Sequence, residues 1–369
     1  MRLTTTTFLG FAALGLAACA QNDPTESGDT APDAAVEGEP CSDEELAYAE
    51  DVSGCTAAPT DYLPRENGSA DDSWDACISD DGAYHAIEES VSSIARVEAY
   101  VQIGDLLWRN EAISPQDFID ARVVYEQEEG LGSRVARRYD PHYPAPAAGG
   151  CEEADVAAAN PEHCVGPAIL MPILTGAFAA GAEGEELAEN AARIQAALQW
   201  FLYVSAIKEA TTCADTLDNC DSAWAYYCGG TPRQTPIGLA ADIDGFAPET
   251  HDRAYDGMLA VRCWRDLDAA VPAADPDMQA LAIAQLDFAL LRGMAILERQ
   301  KLVELGCATL DYRDAAMEWL RVVNPLLDRE TRERDMDVAD GLLSAMEGGG
   351  DLVDVEWAAT ALDATYPCP

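Results

Sequence analysis

The sequence predicts an all-α protein, a multi-helix bundle that follows a disordered tether. Three observations carry this. Apolar residues recur at three- and four-residue spacing over long stretches, the period of a helix with one buried face. No stretch alternates between apolar and polar as a half-buried strand does. Residues 191–211 are apolar nearly all round, with Ile194, Ala197, Leu198 and Phe201 on one face and Trp200, Tyr203, Val204 and Ile207 on another. A helix of that kind sits at the centre of a helical domain.

Taken in order, residues 1–18 carry one early positive charge, Arg2, and then an uncharged apolar run, which is signal-peptide anatomy. The run ends Leu16-Ala17-Ala18-Cys19 and resembles a bacterial lipobox. That resemblance implies that Cys19 is acylated and becomes the N-terminus after cleavage, so that lipid anchors the chain to a membrane. Ala20 follows the cysteine where aspartate would mark retention, which points to the outer membrane or cell surface. Residues 19–72 are rich in Asp, Glu, Pro, Gly, Ser and Thr and read as an acidic low-complexity tether. The folded body is then expected over residues 73–369.

Helical periodicity is read from Tyr84, with Ile87, Val91, Ile94, Val97, Val101 and Trp108 in one stripe and His85 and Glu88 on the opposite side. Ser114-Pro115 reads as an N-cap and first helical residue, opening a helix that ends before Gly130. Residues 140–150 form a Pro/Gly/Ala loop containing His142. Residues 165–182 hold no charge, but Pro167, Pro172, Gly176 and Gly181 interrupt them, so a buried helix hairpin is expected in place of a membrane span. Further helices are read over residues 249–268, 277–306 and 311–328. The apolar runs at residues 170–181 and 285–297 hint at two related halves, 73–215 and 216–369.

The chain has 67 acidic residues against 22 basic ones, a net charge of −45, and only two of the basic residues are lysines, Lys208 and Lys301. Such a surface repels nucleic acid and anionic lipid, and either concentrates cations or serves solubility. There are 12 cysteines and no C-x-x-C, which favours disulfides in an oxidising compartment over a zinc site. Close spacing suggests Cys41 with Cys55, Cys151 with Cys164, and Cys213 with Cys220 or Cys228. With Cys19 acylated eleven remain, so at least one is left unpaired.

No catalytic motif survives inspection. Ser205-Ala206-Ile207-Lys208 matches S-x-x-K, but the companion K-T-G is absent because Lys301 is followed by Leu302. No G-x-S-x-G, H-E-x-x-H, P-loop or dinucleotide fingerprint occurs, so no enzymatic activity is expected.

Residues 221–230, DSAWAYYCGG, resemble the DEAWAFYxG signature of the iron-assimilation proteins, the low-iron-inducible periplasmic family of algae and bacteria. Residues 121–140, ARVVYEQEEGLGSRVARRYD, resemble a second segment of that family, with Tyr125, Glu126, Glu128 and Glu129 as oxygen donors. The stretch YHAIEE resembles the H-x-x-E element of imelysin-type proteins. The chain departs from the first signature at Ser222, where the family has glutamate, and Asp242 and Ile243 replace a basic pair downstream. The resemblance implies a protein that binds iron or assists its acquisition outside the cytoplasm, and carboxylate and phenolate oxygens suit ferric iron. A metal site is expected near the end of the central helix, with Asp221, Tyr227, Glu249, His251 and Asp252 as candidate ligands and His85 with Glu88 as an alternative pair. The competing reading is a structural or partner-binding acidic surface lipoprotein without a metal site.

Overall fold

A computed structural model describes residues 57–64, 74–89, 91–127, 130–267, 275–307, 310–348 and 354–368. Every regular element among them is helical. The first part of the chain forms α1 (Ser93–Leu106), α2 (Pro115–Glu126), the single turn α3 (Gly132–Val135), α4 (Ala154–Ala159), α5 (Met171–Glu183) and α6 (Leu187–Thr212). After it come α7 (Asp218–Cys228), α8 (Leu239–Asp244), α9 (Pro248–Leu267), α10 (Pro276–Cys307), α11 (Leu310–Arg334), α12 (Met336–Gly348) and α13 (Val355–Thr365). The all-α expectation is met.

The central position of α6 follows from its composition. Ile194, Leu198, Phe201, Leu202 and Val204 are all fully buried, and the helix is enclosed by α5, α7, α10 and α11. Burying such side chains stabilises by roughly 1.5–3 kcal/mol each, so a helix apolar on every side must be surrounded. Its buried Gln199 donates to Asp242 on α8 at 2.8 Å and accepts from the Trp319 indole on α11 at 2.8 Å. Tyr100 of α1 donates to the same Asp242 carboxylate. Four helices are thereby tied at one satisfied polar node.

α9 and α10 form the closest pair, and the reason is Gly257. A Cβ there would lie 2.5 Å from the Leu286 Cα, so only glycine permits the approach. One hydrophobic core runs from Tyr62 to Tyr366. Helices on both sides of residue 215 share that core, since α6 packs along α11.

Three expectations are corrected. The body begins before residue 73: Tyr62 is fully buried, and its backbone N–H and C=O bond both ends of the Gln285 amide. The helix read from Tyr84 starts only at Ser93. Residues 84–88 are held in a non-helical course by α7 and α9, because Asp221 accepts from the Ile87 and Glu88 amides and Arg262 donates to the His85 carbonyl. Residues 165–182 do not form a hairpin but a π turn, Gly166–Leu170, running straight into α5, with Pro172 tolerated in the first turn. By length and composition alone, Gly166–Glu183 and Pro276–Leu305 could cross a membrane; 61% of the latter window is buried in the core.

Disulfides among the described residues include Cys77–Cys263, Cys151–Cys164 and Cys213–Cys220. They fit an oxidising compartment. Of the two partners open to Cys213, the fold selects Cys220, and Cys228 is free and buried. Burial pushes the Cys228 thiol up to about 12. We therefore expect Cys228 to resist thiol reagents in the native protein near pH 8 and to react once denaturant is added, with Cys228→Ala abolishing that denaturation-dependent signal. Rapid native labelling of Cys228 would contradict the packing described. Cys19, Cys41 and Cys55 lie outside the described residues, as do the signal peptide and most of the tether.

Candidate functional site

The candidate iron ligands separate into two places, and each is engaged by the protein itself. In the first, the Asp221 carboxylate accepts from the Tyr84 hydroxyl at 3.0 Å and from the Ile87 and Glu88 backbone N–H groups at 2.8 Å. His85 Nε2 pairs with Asp81 at 2.9 Å on the solvent side. The 85–88 stretch and Asp221 are thus neighbours, joined through backbone and not through converging side-chain donors.

In the second place, Tyr227 Oη lies 2.8 Å from His251 Nδ1, and His251 Nε2 lies 2.9 Å from the Arg233 carbonyl. A carbonyl only accepts, so Nε2 carries the proton and Nδ1 accepts from the phenol. Neither ring nitrogen has a lone pair left for a metal. Burial raises the Tyr227 phenol well above its usual range. Asp252 pairs with Arg233 at 3.3 Å, and Glu249 with Arg253 at 3.4 Å. Glu126 pairs with Arg122, and Tyr125 packs on Phe178; Glu128 and Glu129 lie outside the described residues. Among the described residues no three His, Cys, Asp or Glu side chains gather as a metal site would need. Among the described residues, the donors named from the sequence are engaged within the protein and do not converge on one point.

A different cavity is open, of about 520 Å³, and it is basic. One wall is α3 and the turn after it, which carry Arg134, Arg137, Arg138 and Tyr139; the other walls bring Lys208 from α6 and His163 from the loop before the π turn. Arg138 is 5% exposed, stacked beside the Phe201 and Tyr226 rings, and bonds Glu209 at 3.0 Å. Lys208 holds the other Glu209 oxygen at 2.9 Å. Burial alone would raise the Glu209 pKa, yet Arg138 and Lys208 outweigh it and hold the carboxyl below its ordinary value. Glu209 is therefore ionised and fully used. His163 stacks on Tyr139 at 5.1 Å and bonds the Tyr143 carbonyl through Nδ1.

The sequence reading missed this cavity. Three arginines within five residues, in a chain so poor in basic residues, were the available signal; Lys208 and His163 join them only through the fold.

The loop that forms the cavity's rim is clasped by His142, which bridges Asp140 at 2.7 Å and Asp287 of α10 at 3.0 Å. Tyr203 donates to the same Asp287, and Arg329 to the His142 carbonyl. Burial would push His142 down, but the bonds to the two aspartates prevail and raise it to about 9. Because the folded value lies above the unfolded one of about 6.5, the stabilisation is complete below about pH 6.5 and is lost as pH rises through about 9. The expected contribution is about 2–3 kcal/mol. Urea unfolding at a series of pH values should show this fall in wild type and a flatter profile in His142→Ala; equal slopes would remove the clasp.

Comparison with protein-family models, with curated proteins and with solved structures finds no match.

Proposed function

We propose that the chain is an extracytoplasmic binding protein, tethered to a membrane through Cys19, that takes up a small anionic ligand without transforming it. What supports the reading is one contrast: a chain of net charge −45 places four of its 22 basic residues around a single cavity of ligand size. Long-range repulsion from the acidic surface is screened within about 8 Å at physiological ionic strength, so the field inside the cavity is set by its own arginines. The acidity elsewhere serves solubility. The iron reading loses support because its donors are committed to Tyr84, Arg233, Arg253 and backbone groups.

Two measurements test the proposal. Calorimetric titration of the full-length protein with a panel of small oxyanions should find saturable binding for at least one class. Absence of any such binding, with ferric ion instead held saturably in high salt, would restore the iron reading. The tether is checked by Cys19→Ala, which should move the protein from membranes to the soluble fraction, because acyl chains contribute about 0.8 kcal/mol per buried CH₂.

A further inference from the structure

The cavity's charges select among anions. Four cations line it, Arg134, Arg137, Arg138 and Lys208, against two carboxylates, Glu209 and Glu152. Four minus two leaves a local charge of +2. Within that set Arg138 and Lys208 share Glu209, whereas Arg134 and Arg137 have no side-chain hydrogen bond or ion pair among the described residues. The Nε groups of Arg134 and Arg138 are buried without an acceptor. An unpaired buried donor is unfavourable by about the full desolvation cost of the group, and a guanidinium fork is shaped for two oxygens of one anion. Arg134 lies in the single turn α3 and Arg137 and Arg138 just beyond its end, and all three line the cavity, Arg138 buried and Arg137 exposed. His163, 8% exposed, has Nδ1 committed to the Tyr143 carbonyl and no partner at Nε2, adding a polar group to the opposite wall.

We infer that this cavity holds a small organic dianion, its two negative charges met by Arg134 and Arg137 and by the free edge of Arg138. The inference rests on the proposed anion-binding function and adds the charge class and the residues that read it. A single chloride or a monocarboxylate leaves one positive charge uncompensated. A dianion neutralises the cavity and supplies acceptors to the guanidinium donors that lack them. A volume of about 520 Å³ leaves room for an organic body beyond the charged head. Glu209 acts as a spacer, fixing Arg138 and Lys208 side by side while offering no oxygen of its own.

The test titrates the full-length protein with glycerol phosphate, succinate, acetate and chloride at one fixed ionic strength. The first two probes carry their charges on one tetrahedral head or on two carboxylates, so their ratio distinguishes the sources of the same chemistry. At least one dianion should bind at least tenfold more tightly than acetate. Arg134→Gln and Arg137→Gln should each weaken that dianion about 10- to 100-fold, the range for one charge-assisted hydrogen bond. Arg122→Gln, at an exposed pair on α2, should leave it unchanged, and circular dichroism should show all three variants folded. If no probe binds, the anion-binding function itself fails. If acetate binds as tightly as both dianions, or if both arginine variants bind like wild type, the function stands and the dianion site is refuted.

Discussion

Replacing both Cys77 and Cys263 by Ala is expected to lower the unfolding free energy by about 5 kcal/mol, more than any other change to this fold considered above. The bridge joins residues 186 apart in sequence, whereas Cys151–Cys164 closes a separation of 13. On the chain-entropy account the constraint on the denatured chain grows with the logarithm of the loop, giving about 5 kcal/mol for the long bridge and about 3 for the short one. The native cost of the change is small, because the neighbouring bonds do not use sulfur as an essential partner. The Cys77 amide still reaches Asp80 at 3.1 Å, and Tyr62 still donates to Asp80 at 2.9 Å. Urea unfolding of the double variant should show a lower midpoint and a steeper dependence on denaturant, since a chain freed of the long loop exposes more surface. A loss below about 1 kcal/mol, or no change in slope, would mean that the denatured chain is already compact between these positions.

The helices that could be read from sequence are those whose burial is decided by their own pattern. α6, α9, α10 and α11 carry stripes long enough that only a helix buries them, and their predicted limits fall within a few residues of Leu187–Thr212, Pro248–Leu267, Pro276–Cys307 and Leu310–Arg334 except at the C-terminal end of α11. Residues 84–92 failed for the opposite reason. Ile87, Val91 and Ile94 fit a helical spacing, but Asp221, more than 130 residues away, takes the amides that such a helix would need. No local pattern contains that information.

Helix geometry separates the metal candidates of α7 and of α9. On α9, Glu249 and Asp252 are three apart and share a face, while His251 sits one step off it and turns inward to Tyr227. Asp221 and Tyr227 are six apart on α7 and likewise diverge. The three arginines, by contrast, are brought to one cavity by α3 and the turn that follows it. The segment that resembles an iron-assimilation motif contains both the glutamates and these arginines, and only the fold shows which of them surround a cavity.

Asp221→Ala is expected to lower stability by about 3–4 kcal/mol, and it separates a structural carboxylate from a metal ligand. The side chain is 1% exposed and accepts three hydrogen bonds that hold residues 84–88 against α7. Tyr84 also stacks on Trp224 with ring centroids 4.5 Å apart, so losing the anchor frees an aromatic contact as well. Each buried donor left without an acceptor is unfavourable by about 1–3 kcal/mol. Burial raises the Asp221 pKa in spite of those bonds, so removing the charge recovers part of the loss and keeps the net below the sum. Asp221→Asn should be milder, because its amide oxygen can still accept from the Ile87 and Glu88 N–H groups while its NH2 donates to the Tyr84 hydroxyl oxygen. Hydrogen exchange should localise the damage, with the Ile87 and Glu88 amides falling to the rates of an open loop while α6 stays protected. Anion binding at the basic cavity should persist. A carboxylate kept for a cation behaves the other way: in the metal-free protein its removal relieves repulsion among ligands and raises stability. A gain on Asp221→Ala would therefore reinstate Asp221 as a ligand, and a loss confined to residues 84–88 fixes it as the anchor of that segment.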